Sequence, residues 1–243
     1  MRAPVALPLA AVLVIAGCAP EPEPPSPDYP WHTGIVATTF WVGEVFDAGA
    51  SDGSQVLSTY DARWQENYGG CDGIRSGERC ETEPRTAAGD FFPTAMTPKH
   101  NPFYLDLPFD DLNDPGAFAR RAEVVPWADR PGFRGRAADE GFSYLKNRWV
   151  QLRKDGRTCY GQVQDAGPAQ YDDAEYVFGA DDRRPVSREF NGAGLDVSPA
   201  LNGCLGFAEL DGQSDVLDWR FADDEDVPGG PWKRIVTTQE VVR

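Results

Sequence analysis

Basic residues and metal-ligating side chains are scarce in this chain. Lys and Arg total 23 against 39 Asp and Glu, for a net charge of −16, and the only histidines are His32 and His100. Nucleic-acid backbones are held by a basic face. No Lys/Arg cluster supplies one, so a nucleic-acid partner is not expected. The acidity reads as a well-solvated surface, which would repel a polyanion except at a locally basic spot. No CxxC pair occurs, which argues against zinc. The run Asp223-Asp224-Glu225-Asp226 has oxygen ligands for calcium but lacks an ordered ligand spacing, and reads as a solvated turn. No metal and no cofactor are expected. Beyond residue 16 there is no apolar run long enough to cross a membrane.

The beginning of the chain reads differently from the rest. Arg2 gives a positive start, Val5 to Ala16 a short apolar core, and Ile15-Ala16-Gly17-Cys18 a lipobox. Residues 1–17 are read as a bacterial lipoprotein signal, and Cys18 as the lipidated first residue of the mature chain. The core is too short, and too broken by Pro4 and Pro8, to span a bilayer. Several acyl chains on one cysteine would give stable attachment, so the membrane is a partner through the anchor only. Residues 18–30 form a Pro/Glu-rich tether, and 31–243 are read as the anchored domain. The expected location is the bacterial cell envelope, at its periplasmic face or at the cell surface.

Once Cys18 is assigned to lipid, Cys71, Cys80, Cys159 and Cys204 remain. An even number in an exported chain suggests two disulfides, with three pairings open. We favour Cys71–Cys80, closing a Gly-rich loop, and Cys159–Cys204, tying a strand to a helix.

The domain reads as all-β. Strands are expected over 34–42, 103–107, 148–152, 158–164, 215–221 and 234–238, with a hairpin turn at Lys154-Asp155-Gly156. Short helices are expected at 115–123 and 198–205. Residues 47–54, 66–90 and 128–142 read as long loops. Many short strands with few helices suit a closed barrel with loop insertions.

Two segments carry the chemistry. Gln164-Asp165-Ala166-Gly167-Pro168 ends a strand on an acid. Gly194-Leu195-Asp196-Val197-Ser198-Pro199-Ala200 sets an acid before a helix capped by Ser198, with Pro199 at its first position. Two carboxyls at element ends facing one cleft can do acid/base work on a glycosidic bond. The structural alternatives are a helix-start carboxylate for Asp196 and an Asx turn for Asp165.

The pattern Val163-x-Asp165-x-Gly167-Pro168, followed by Leu195-Asp196-Val197-Ser198 and Leu205-Gly206, resembles the double-psi β-barrel of rare lipoprotein A and expansins. Residues 96–108, from Met96 to Pro108, are similar to that group's central segment. Ala37 to Trp41 are similar to the first strand of family-45 endoglucanases. The resemblance covers most of residues 34–210. It implies a double-psi β-barrel with long loop insertions and one or two short helices, binding a polysaccharide such as peptidoglycan or a β-glucan. It further implies Asp196 as proton donor, Asp165 beside it, and His100 near the groove. The endoglucanases carry an acid directly after the aromatic pair; here Val42 stands there, with Glu44 and Asp47 close by. A lytic transglycosylase-like scheme, which needs one acid, therefore fits better than inverting hydrolysis.

Trp41, Tyr60, Trp64 and Tyr160 are candidate sugar-stacking platforms through their proximity to these segments, whereas Trp149 and Trp219 are expected in the core. The sequence leaves open whether the chain cleaves its glycan. The alternative is a non-catalytic module that binds cell wall or another protein.

Overall fold

The computed structural model describes residues 28–49, 53–77 and 79–243. The signal, Cys18 and most of the tether lie outside the described residues. In chain order the elements are β1 (His32–Thr39), α1 (Trp64–Tyr68), β2 (Ile74–Ser76), β3 (Arg79–Glu81), β4 (Tyr104–Leu107), α2 (Pro115–Val124), β5 (Trp149–Lys154), β6 (Arg157–Ala166), α3 (Ala174–Val177), β7 (Leu195–Val197), α4 (Pro199–Leu205) and β8 (Asp215–Ala222). Six strands close a barrel in the order β1-β7-β4-β6-β5-β8, and β2 and β3 form a separate two-stranded sheet. The β1–β7 and β4–β6 pairs are parallel, and the other barrel pairs are antiparallel.

Strand periodicity builds the core. On β8, Leu217, Trp219 and Phe221 point inward and are buried, while Val216 and Asp218 point outward. Ile35 and Ala37 from β1, Leu105 from β4, Leu152 from β5 and Leu195 from β7 join the same cluster. β6 is buried over its last eight residues, and α4 lies against it. A Cβ on Gly161 would stand 2.8 Å from Leu201 Cδ1 and 3.2 Å from the Phe103 carbonyl, so glycine gives the helix side chains room to pack closely here. Cys159–Cys204 ties the helix to the strand, and Cys71–Cys80 closes the β2–β3 region, so both favoured pairings are present.

Local chemistry explains where elements start and turn. The β5–β6 turn has positive φ at Asp155 and Gly156, as a two-residue primed hairpin turn requires. Asp114 caps α2 by accepting the Gly116 and Ala117 N–H groups, each at 2.8 Å, with Pro115 at the first position. Ser198 caps α4 through the Leu201 N–H, and Gly206 ends it in the left-handed region.

Four expectations need correction. Four short α-helices form rather than one or two, with α1 and α3 in connecting segments. Residues 234–238 do not form a strand. The Gln162 side chain bonds the Thr237 N–H (2.9 Å) and C=O (3.1 Å), replacing the strand partner that a ladder would require. The loop at 66–90 contains the end of α1 and the β2–β3 hairpin. Tyr29, read as the end of the tether, is buried against Trp127 and Phe221 and belongs to the core. The loop at 128–142 remains a run of turns, but an ordered one: the fully buried Arg121 guanidinium donates to the carbonyls of Asp111, Phe142 and Asp139, each at 2.7 Å.

Candidate functional site

Three barrel strands each bring one aspartate to the same place. β4 carries Asp106, β6 carries Asp165 and β7 carries Asp196. The parallel register sets Asp106 opposite Asp165, just past an irregularity in the ladder. The β1–β7 register sets Thr38 opposite Asp196. The Asp196 N–H donates to Asp106 Oδ1 at 2.8 Å, and the Thr38 hydroxyl donates to Asp196 Oδ1. Asp165 Oδ1 accepts the Thr59 N–H at 2.7 Å and the Ala166 N–H at 2.9 Å. A side chain at position 167 could not coexist with this arrangement, because its Cβ would fall 2.6 Å from Asp106 Oδ2. Gly167 is therefore needed for close approach.

The electrostatics follow from burial without ion pairs. Among the described residues, no Lys, Arg or His forms an ion pair with Asp106, Asp165 or Asp196. Burial pushes Asp165 up to about 7, against the pull of its main-chain hydrogen bonds. Burial likewise pushes Asp196 up to about 7; the hydrogen bond to Asp106 lowers it and the Asp165 charge raises it. Asp106 is driven further above its ordinary value, first by burial and then by the charges of Asp196 and Asp165. Glu44, on the turn after β1, is pushed up to about 8 by burial, with Asp211 and Asp196 adding to the effect. Asp110 adds its charge to the field at Asp165. Asp110 and Asp165 both bond Thr59, and Asp165, Asp106 and Asp196 meet on β6, β4 and β7, with the charges of Glu44 and Asp211 close enough to act on one another.

Access differs among these acids. Asp106 and Asp165 are 3% and 6% exposed, whereas Asp196 and Glu44 are partly exposed. Asp196 is therefore the most exposed residue of the triad, while Asp165 is held by main chain. Among the described residues, no group of three or more His, Cys, Asp or Glu side chains is arranged to hold a metal ion. A cavity of about 260 Å³ beside Gly34–Val36 and another of about 520 Å³ beside the β5–β6 turn are lined by none of these carboxyls.

Asp165 and Asp196, 31 positions apart in sequence, are brought together. The expected stacking residues are not brought to a surface. Tyr60 and Trp64 are fully buried. Trp41 packs beside Cys71–Cys80 and donates its indole N–H to the Cys80 carbonyl at 2.9 Å. Tyr160 is buried against Trp232. The ring faces of these four are filled by protein, which corrects their reading as open platforms. His100 stands in a different group, with Lys146, Asp61 and Gln239, and is lowered by burial and by the Lys146 charge. Exposed aromatics occur elsewhere: Phe46 (59%) follows Glu44 closely, and Tyr171 (47%) accepts the Asp110 N–H through its main-chain carbonyl at 2.8 Å.

The reading of the sequence missed Asp106, Phe46 and Tyr171. The one available signal for Asp106 was an acid set between Leu105 and Leu107 in a short apolar strand. No protein-family model matches the chain, and no curated protein matches it.

Proposed function

We propose that the chain is an envelope-anchored, polysaccharide-recognising lipoprotein built on a double-psi β-barrel, with Asp196 as the acid of a lytic transglycosylase-like cleavage of peptidoglycan or a β-glucan. The observation that carries this reading is the convergence of Asp106, Asp165 and Asp196 with no ion-paired cation among the described residues. A general acid must keep its proton near neutral pH, and burial among like charges supplies that condition. Asp196 would protonate the glycosidic oxygen. The Asp165 charge would favour the positive character that develops at the sugar. The same Asp196 would then take back a proton as the sugar's own hydroxyl attacks.

Phe46, two residues past Glu44, and Tyr171, main-chain-bonded to Asp110, have the exposure that sugar stacking needs. The parallel β1–β7 and β4–β6 pairs within a closed six-stranded barrel agree with a double-psi arrangement. The lipid anchor rests on the lipobox at Cys18 alone.

A second reading is favoured by one specific feature. Asp165 Oδ1 already accepts two main-chain N–H groups, which suits a structural role and a cleft that only holds glycan. Incubating the full chain with purified peptidoglycan and with β-glucans separates the two. Soluble fragments that disappear in Asp196→Asn support cleavage. Retention on the insoluble polymer without fragments supports the binding module. Failure to bind either polymer removes both.

A further inference from the structure

Cations gather at one cavity that the acid cluster does not line. Its volume is about 260 Å³. Gly34–Val36 of β1 form one side, and the segment between α3 and β7 forms the other, with Arg184, Pro185, Arg188 and Asn191. No Asp or Glu lines it, although acids outnumber bases 39 to 23 in the chain. An acidic chain repels anions except at such a spot. The larger cavity beside the β5–β6 turn is different. There Arg153, Lys154 and Arg157 share the walls with Asp155 and Asp218, and Lys154 pairs with Asp155 at 2.6 Å and with Asp215 at 3.4 Å.

The polar groups of the smaller cavity are positioned but not used up. Asp182 accepts the Thr33 N–H at 2.8 Å and the Thr33 hydroxyl, which fixes it beside β1. Arg184 Nη1 donates to Asp182 Oδ1 at 3.0 Å and to the Asp182 carbonyl at 3.1 Å. Its Nε and Nη2 have no acceptor among the described residues. The Arg188 guanidinium has neither an ion pair nor a hydrogen bond among them. Asn191 donates its Nδ2 to the Gln213 carbonyl at 3.0 Å, and its Oδ1 receives no donor among the described residues. Phe190 and Val186, on the same segment, are exposed.

A guanidinium fork matches the two oxygens of a carboxylate or of a phosphate. The unused Asn191 carbonyl separates these ligands, because it needs a donor. An ionised phosphate offers mainly acceptors, whereas the last carboxylate of a peptide has an amide N–H beside it. The volume lies below the roughly 300–1,000 Å³ of pockets that enclose drug-sized ligands, so the cavity suits the end of a chain rather than a length of one. We propose that this cavity captures the C-terminal carboxylate of a peptide: Arg188 and Arg184 hold the carboxylate, Asn191 Oδ1 accepts the adjacent amide N–H, and Phe190 and Val186 offer apolar surface to the last side chain. The inference does not draw on the reading of Asp196.

The test is a titration of the full chain with acetyl-Ala-Phe, as the free acid and as its C-terminal amide, followed through main-chain N–H signals by NMR. The free acid should shift the signals of Gly34, Val36, Arg188 and Gly192 and bind about tenfold or more tightly than the amide. Inorganic phosphate should bind more weakly than the free acid. Arg188→Gln should weaken the free acid about tenfold and leave the amide unchanged, with the urea midpoint of unfolding held, because this side chain bonds nothing in the fold. Arg188→Lys keeps the charge without the fork and should recover part of the loss. Equal binding of acid and amide overturns the proposal. So does binding of neither, or an Arg188→Gln chain that binds the free acid as the unaltered chain does. Tighter binding of phosphate than of the free acid also overturns it, since the cavity would then take another class of anion. If Arg188→Gln does not fold, the comparison of acid, amide and phosphate on the unaltered chain decides by itself.

Discussion

Two buried acidic regions of this barrel are built on opposite plans. Beside the β2–β3 sheet, Arg85 is buried between two acids, 2.9 Å from Asp72 and 3.0 Å from Glu83. The Thr94 N–H adds a bond to Glu83 at 2.7 Å. Burial pushes Glu83 up, but Thr94 and Arg85 outweigh it and hold the carboxyl below its ordinary value. Asp72 is raised by burial, with Arg85 opposing. In the triad, Asp106, Asp165 and Asp196 have no such cation, and all three are raised. The acids beside β2–β3 receive a guanidinium, and those of the triad do not. Unpaired buried acids cost stability, so a cluster of them without a cation is a functional candidate on physical grounds.

Breaking the paired region should give the largest effect. Arg85→Ala leaves Asp72 and Glu83 buried without their cation and should destabilise the chain by about 3–5 kcal/mol in urea unfolding. A loss under about 1 kcal/mol would remove the contrast. The triad should respond with the opposite sign. Asp165→Asn keeps an oxygen for the Thr59 and Ala166 N–H groups and removes a charge that the site disfavours. It should stabilise the chain near neutral pH by roughly 2 kcal/mol. The pH dependence carries the same sign. Unfolded aspartates titrate near 4, whereas folded Asp165 titrates at about 7. Between those values the folded chain binds more protons, so its stability falls as pH rises, and Asp165→Asn should flatten that slope. Glu83 works the other way, because its lowered value adds stability that is lost as pH falls below the ordinary carboxylate range.

Asp196→Asn should change stability less, because the residue is more exposed than Asp165, while abolishing release of soluble glycan fragments. Wild-type levels of fragments from that variant would shift the acid role to another group, with Glu44 the next to test. Smallest in stability terms are Phe46→Ala and Tyr171→Ala, within about 0.5 kcal/mol as exposed positions. Each should nevertheless weaken retention on the insoluble glycan about tenfold if the rings stack on sugar. Unchanged retention in both would confine the site to the carboxyls.

Legibility from sequence followed the locality of the signal. The β5–β6 turn was readable because Asp155-Gly156 suits the positive φ that such turns demand. The caps and Pro residues that open α2 and α4 were readable for the same reason, and so was the disulfide set. Asp165 and Asp196 were found because each sits at an element end beside Gly-Pro or Ser-Pro. Asp106 escaped because alternation puts it in the polar slot between Leu105 and Leu107, where a one-sided strand would face it to solvent. Barrel closure and β7 bury that side as well. The aromatic platforms were misjudged because closeness in sequence to a site carries no information on exposure: Trp64 and Tyr60 fill the interior, while Phe46 and Tyr171 on connecting segments remain outside. The strand expected at 234–238 was displaced by a side-chain partner, Gln162, which no local pattern announces.

The central claim is that this cluster keeps protons that ordinary carboxyls have lost. Infrared absorption of protonated carboxyls at about pH 6, roughly two units above ordinary aspartate values, tests it most directly. The account predicts a protonated-carboxyl band in the full chain that loses most of its intensity when Asp106, Asp165 and Asp196 are all changed to Asn, with Glu44 and Asp111 supplying the remainder. A band that is missing from the unaltered chain, or that the triple change leaves intact, would contradict it.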